Sequence, residues 1–217
     1  MERIRLLERN FYMDERFAGG KQYYVNIKKV SNPDSIYVLV DKFNQLEEEY
    51  VPFDLEMIHE KFNPMRLLMR REARIAFEDM CYLAERQGII LEAVSAFRSY
   101  SYQSMIYMKN WTNEITLEDY QRIRDRVSAR PGHSEHQTGL AVDINDLEET
   151  FADTEAGQWL ANNAHNFGFI LRYPKGKEPI TGYDYEPWHF RYLGKYMAER
   201  VYRSGITYDE WNDAFDY

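Results

Sequence analysis

A single cysteine among 217 residues excludes an internal disulfide and any thiolate-rich metal site. That residue, Cys81, falls in a helical pattern and reads as a small buried thiol rather than a nucleophile. Long apolar runs are also missing, and no stretch approaches the roughly 18 residues that a membrane span needs. The first residues, MERIRLLERN, are charged throughout and lack the apolar stretch of a signal peptide. On that pattern the chain is expected in the cytoplasm, with the cell envelope as the alternative if a leader has been removed. Positive charge is scarce too. With 27 Lys and Arg against 36 Asp and Glu, the net charge is −9, which argues against a nucleic-acid partner. A local basic stretch does run from Arg122 to Arg130. No repeat, low-complexity segment or linker breaks the chain.

What is present suits one packed domain, since 217 residues are too few for two of ordinary size. Helical and strand patterns mix without regular β-α-β alternation. This predicts an α+β fold with a small, mostly antiparallel sheet flanked by helices. Residues 1–35 read as an extension. YYVNI (23–27) and IYVLV (36–40) have strand character around the turn signal SNPD, which predicts a strand pair packed on a catalytic domain of residues 36–217. A helix is expected over 66–87, with Leu68, Ile75, Phe77, Met80 and Leu83 as its apolar positions. The short strand IILEAVSAF then delivers Arg98, and a helix from Ser101 carries Gln103. Thr116 and Thr207 each start a helix with an acidic residue three positions on. A helix over 154–166 ends at Gly168, before the strand FILRY and a hairpin loop at 175–177. The last long helix spans 192–203.

The chemistry concentrates in PGHSEHQTGLAVDIN, residues 131–145. LAVDI alternates as a half-buried strand does. Ala141 and Asp143 therefore share one face, while Val142 and Ile144 turn to the core. Gly139 supplies the bend that brings His136 round to the side of Asp143. A carboxylate on a rigid strand beside an imidazole makes a pair of metal ligands. A third comes from YEPWHFRYLG. There Trp188, Phe190 and Tyr192 lie on one face of a strand, with His189 and Arg191 on the other. His136, Asp143 and His189 would give three protein ligands and leave a fourth position open, which is the arrangement of a catalytic zinc. Glu186 precedes Pro187 at the mouth of the strand or in a bulge, placed to take a proton from water.

These residues carry a family resemblance. S-x-H-x-x-G-x-A-x-D (Ser134 to Asp143) and E-P-W-H (Glu186 to His189) resemble the D-alanyl-D-alanine carboxypeptidases, the VanY-like zinc peptidases related to lysostaphin-type peptidases and the Hedgehog domain. SAFRSYSYQ (Ser95 to Gln103) resembles the family's S-x-x-R-S-x-x-x-Q segment. The likeness spans about residues 36 to 195. It implies a Hedgehog/DD-peptidase-like fold, one zinc per chain, Glu186 as general base and Arg98 as the oxyanion-stabilising arginine. Gln103 and Ser134 match positions that touch substrate. The implied substrate is a peptidoglycan stem peptide, or its precursor, ending in D-Ala-D-Ala. An L,D-carboxypeptidase, a D-Ala-D-Ala dipeptidase, a stem-peptide endopeptidase and a non-catalytic zinc-bearing binding module are the alternatives. By the same resemblance His133 belongs to the pocket rim and is not a ligand. His59 and His165 read as structural, Trp188 as packing beneath the metal, and Glu47 to Glu49 as a solvated loop.

Overall fold

The computed structural model describes residues 24–112 and 114–215. Two short ladders precede the main sheet. In the first, β1 (Lys28–Lys29) runs parallel to β2 (Asn44–Gln45). In the second, β3 (Leu55–Met57) is antiparallel to β4 (Leu68–Arg70). The expected strand pair over 23–27 and 36–40 is not formed. Tyr23 lies outside the described residues, and 36–40 take no strand conformation. Val38 and Val40 are nevertheless buried in the core as an irregular segment. The backbone carbonyls of Ile36 and Val38 accept from Arg191 Nη2 at 3.0 and 2.7 Å, so a buried guanidinium takes the place of a strand partner.

Helix α1 (Arg71–Arg86) begins later than its periodicity predicts, because Leu68 to Arg70 pair with β3 and Arg66 is left-handed at φ 59°. Its buried stripe is Ala73, Ala76, Phe77, Met80, Cys81 and Ala84, the i, i+3, i+4 spacing of one helix face. Ile75, expected in the core, points outward. Next come β5 (Ala93–Ser95), α2 (Tyr100–Met108, capped by Ser99) and α3 (Leu117–Arg124, capped by Thr116). The basic stretch around α3 is matched by acids: Arg122 pairs with Asp119, Arg126 with Asp184 and Arg130 with Asp125. Then β6 (Ala141–Ile144), α4 (Glu155–Asn163) and β7 (Phe169–Tyr173) follow. The expected hairpin loop at 175–177 is part of a longer connection that includes the single-turn helix α5 (Glu178–Thr181) before β8 (Glu186–Tyr192). The chain closes with α6 (Gly194–Ser204) and α7 (Tyr208–Phe215). Thr207 and Glu210 form the predicted capping box at the start of α7: Thr207 N donates to Glu210 Oε2 and Glu210 N to Thr207 Oγ1. Among the described residues no helix is long and apolar enough to cross a membrane.

The main sheet has the order β5-β6-β8-β7 and is antiparallel throughout, so the α+β expectation holds. On one face Val142, Ile144, Phe169 and Phe190 join Phe77 and Met80 of α1 in the larger core. The other face carries polar residues beside a smaller cluster in which Ile170, Met197, Val201, Tyr208 and Trp211 seat α6 and α7.

His133 belongs to this scaffold and not to the pocket rim. Its Nδ1 lies 2.7 Å from the carbonyl of Asp41, and its ring meets Tyr24 edge-on at 4.7 Å. Burial lowers its pKa to about 4, against the opposing pull of Asp41. The unfolded chain therefore takes up this proton near pH 6.5, whereas the folded chain resists until about 4. Between those values stability falls as pH falls, by about 1.4 kcal/mol per unit for this one group. His133→Gln keeps a donor for Asp41 but has no proton to gain. Urea unfolding at pH 4.5, 5.5 and 6.5 should show a pH slope shallower by about one proton than in the parent chain. Equal slopes would mean that His133 does not titrate with folding.

Candidate metal centre and catalytic cleft

Local geometry explains how His136 reaches the sheet. It sits in a 3-10 turn, Glu135–Thr138, whose N-cap Ser134 accepts from His136 N at 3.3 Å. Gly139 ends the turn at φ 67°, and a Cβ there would lie 2.8 Å from Leu55 Cδ2 and 3.3 Å from Arg70 N. Both the conformation and the crowding require glycine. His136 Nδ1 donates to the carbonyl of Ala96 at 2.6 Å, leaving Nε2 to face Asp143 Oδ2 at 3.2 Å. The tautomer is thus set by a backbone acceptor, as in many metal-binding histidines.

Asp143 and His189 come together through strand register, since they are directly paired across β6 and β8. The pairing of β7 with β8 shifts between Leu171 and Tyr173: Leu171 opposes Phe190, but Tyr173 opposes Glu186. The extra residues bulge out of β8 around Pro187, as that proline demands, and bring Glu186 back to the side of His189. Glu186 Oε2 is 3.6 Å from His189 Nδ1.

The donor atoms of His136, Asp143 and His189 all lie within 4.8 Å of one another, and all three residues are buried. Asp143 Oδ1 is buried without a hydrogen-bond donor, although His189 Nδ1 is only 3.0 Å away. Two nitrogens and a carboxylate oxygen that converge without bonding each other are what a zinc ion requires of its ligands. The local potential agrees. Burial works against a charged His189, yet Asp143, Glu135 and Glu186 outweigh it and raise its pKa to about 9, so the surrounding carboxylates favour a cation at this point. His136 is lowered to about 4, by burial and then by Arg98, and stays neutral. Burial raises Glu186 to about 7, which suits a group that must both take and return a proton near neutrality.

Arg98 is fixed at both ends of its guanidinium. Nε donates to Ser95 Oγ at 2.9 Å and Nη1 to Gln103 Oε1 at 3.0 Å. Nη2 is aimed at the ligand cluster, 2.8 Å from Asp143 Oδ2 and 3.0 Å from His136 Nε2. Gln103 donates in turn to the carbonyl of Ala129 at 2.8 Å, so both ends of its amide are held within the protein. Gln103 and Ser134 line the same cleft as the ligands, a cavity of about 440 Å³ also bordered by Tyr173, Trp188 and Glu186. Trp188 packs against the core and also lines the cleft. His59 caps a 3-10 turn and His165 stacks on Tyr202; the metal cluster includes neither.

The sequence reading passed over Glu135. Its carboxylate is fully buried: Oε1 accepts from Arg172 Nε and Arg191 Nη1, both at 2.8 Å, and Oε2 lies 3.6 Å from His189 Nε2. Arg172 is also paired with Asp209 of α7. A signal existed. Arg172 interrupts an otherwise apolar strand and Arg191 stands between Phe190 and Tyr192, and a buried guanidinium demands a carboxylate close by.

Four likenesses to known proteins agree with this geometry. Residues 66–195 match the family described as VanY: D-alanyl-D-alanine carboxypeptidase. The chain is 39% identical over 214 residues to the putative carboxypeptidase YodJ of Bacillus subtilis (strain 168), covering 91% of this chain and 77% of that relative. Among solved structures, the LdcB LD-carboxypeptidase superposes with a TM-score of 0.75 at 38% identity, covering 88% of this chain and 91% of LdcB. The vancomycin-resistance D,D-pentapeptidase VanY in complex with Zn(II) gives a TM-score of 0.68 at 30% identity, covering 81% and 97%. Every residue placed at the cleft by the sequence reading falls within the matched segment, and the chain belongs to the VanY family of D-alanyl-D-alanine carboxypeptidases.

Proposed function

We propose that this chain is a zinc-dependent carboxypeptidase that releases the C-terminal D-alanine of peptidoglycan stem peptides. The observation that carries the reading is the convergence of His136, Asp143 and His189 at a cleft that also presents Glu186 and Arg98. A binding module needs no partly buried carboxylate poised near neutrality, and no guanidinium held by two neighbours and aimed at the same point.

His136 Nε2, His189 Nδ1 and an oxygen of Asp143 would hold one zinc ion. When bound, it would supply Lewis-acid polarisation of the scissile carbonyl and acidify water. Glu186 takes the proton of the attacking water and returns it to the leaving amine of D-alanine, so the base is regenerated in each turnover. Arg98 offsets the negative charge that builds on the carbonyl oxygen as the carbon becomes tetrahedral. Because Ser95 and Gln103 already hold it, little reorganisation is needed at that moment.

The greater likeness to an LD-carboxypeptidase than to a D,D-pentapeptidase favours the tetrapeptide, with its L,D bond, over the pentapeptide ending in D-Ala-D-Ala. The pentapeptide is the second reading, favoured by the family match itself. Mass spectrometry of products from stem tripeptide, tetrapeptide, pentapeptide and free D-Ala-D-Ala decides between them. Tetrapeptide converted to tripeptide supports the first reading, and pentapeptide converted only to tetrapeptide the second. No D-alanine from any substrate, with metal content verified, would overturn both.

Metal analysis of the purified protein should find about one zinc per chain, lost in His136→Ala and His189→Ala. Equal loading of the parent and both variants would sink the ligand assignment. Glu186→Gln should keep its zinc and its fold while turnover drops by about 10²–10⁴, the usual range for a general acid/base. Unchanged turnover would move the base elsewhere.

Arg98→Ala tests a different step. An interaction made only as charge develops lowers kcat and kcat/KM together and leaves KM nearly constant. We expect that pattern, with a loss of about 3 kcal/mol. A large rise in KM at constant kcat would instead show Arg98 gripping the substrate's terminal carboxylate. Zinc content must be measured alongside, because Arg98 also contacts Asp143.

A further inference from the structure

We propose that Glu135 is the positioning residue for His189, selecting the ring tautomer that turns Nδ1 towards the metal. The inference rests on the zinc reading above and deepens it. Glu135 lies beside His136 in the chain, but its side chain points the other way, behind the ring of His189. Oε1 is held by two arginines, at 2.8 Å each, which fix the carboxylate in place. Oε2 is buried without a hydrogen-bond partner, and so is His189 Nε2. These two atoms face each other at 3.6 Å, a few tenths of an ångström beyond a hydrogen bond.

His189 Nδ1 lies 3.0 Å from Asp143 Oδ1, so without a metal that carboxylate would compete for the ring proton; once Asp143 is committed to the metal, Glu135 decides the tautomer. A carboxylate paired with two guanidinium groups is ionised and can only accept. Were the imidazole proton on Nδ1, a lone pair on Nε2 would face the Glu135 carboxylate, and an N–H would point at Asp143 and away from any role as ligand. With the proton on Nε2, the N–H faces its carboxylate acceptor and the Nδ1 lone pair faces Asp143 and His136. Small closure of the gap gives a carboxylate–histidine pair of the kind that orients metal-bound imidazoles. His136 is set by the carbonyl of Ala96, so each histidine has its own fixed acceptor, one neutral and one charged. The ring of Tyr173, 4.8 Å from that of His189, limits tilting but cannot choose a tautomer.

A purely structural role for Glu135, balancing Arg172 and Arg191, is the competing explanation. Asp209 provides the control, because it pairs with Arg172 in the same network, whereas Glu135 is the carboxylate that faces His189 Nε2. Zinc affinity would be measured by competition with a chelating indicator for the parent chain, Glu135→Ala, Glu135→Gln and Asp209→Asn. We expect Glu135→Ala to bind zinc about 10- to 100-fold more weakly, the range seen when such partners are removed. Glu135→Gln retains an oxygen acceptor and should recover most of that loss. Asp209→Asn should lower unfolding stability but leave zinc affinity within about threefold of the parent. Long-range proton–nitrogen NMR of the zinc-loaded parent should place the His189 proton on Nε2. Should Glu135→Ala fail to fold, that spectrum still decides, since a proton on Nδ1 overturns the inference. So would parent-like affinity in Glu135→Ala, or an equal loss in Asp209→Asn. A parent chain that binds no zinc at all overturns the metal reading first, and this inference with it.

Discussion

Everything at the cleft depends on one strand register, the direct pairing of Asp143 on β6 with His189 on β8. Opposed residues on adjacent antiparallel strands hold their Cβ atoms about 5 Å apart, close enough for both side chains to reach one ion. A slip of one residue would send Asp143 into the apolar core beside Phe77 and Phe190 and put Val142 into the cleft. The apolar side of the same strands prevents it: Val142, Ile144 and Phe190 are buried together against α1. The hydrophobic face of the sheet thus enforces the geometry of its polar face.

The polar face has to solve a second problem, burying several charges with little water to solvate them. Arg172 and Arg191 are among the largest fully buried side chains, and Glu135 and Asp209 are buried with them. Each ion would be costly alone, and the arrangement is tolerable because every arginine has a carboxylate and Arg191 also bonds backbone carbonyls. Such a network adds little net stability, but it is directional. It ties the first turn of α7, through Arg172 and Glu135, to the back of His189. It also explains how Val38 and Val40 can be buried in a segment without strand partners, since Arg191 donates to the carbonyls of Ile36 and Val38.

Much of this was legible in the sequence where local rules are strong. The alternation of LAVDI, the bend at Gly139, the bulge at Pro187, the N-cap at Thr116 and the capping box at Thr207 all follow from local stereochemistry, and the structure has each of them. The errors have a common cause. The strand expected over 36–40 and the helix expected from Arg66 both have adequate local patterns, but pairing of Leu68–Arg70 with Leu55–Met57 and capture of the Ile36 and Val38 carbonyls by Arg191 override them. His133 has the spacing of a ligand or rim residue, yet Tyr24 and Asp41 draw it into the scaffold from more than ninety residues away.

The sequence by itself determined the set of residues: two histidines and an aspartate at the spacing of ligands, a glutamate three residues before the second histidine and, through the family motif, an arginine at the end of a core strand. Those residues are identified by type and short-range spacing, which survive without knowledge of the fold. Only the tertiary structure decided which atom of each residue faces the site. The proton of His136 is set by the carbonyl of Ala96, the guanidinium of Arg98 is held by Ser95 and Gln103, and Glu135 stands behind His189 with one arginine from β7 and one from β8. Hydrogen-bond direction and charge balance in a buried space depend on neighbours that are distant in the chain, so no local pattern encodes them.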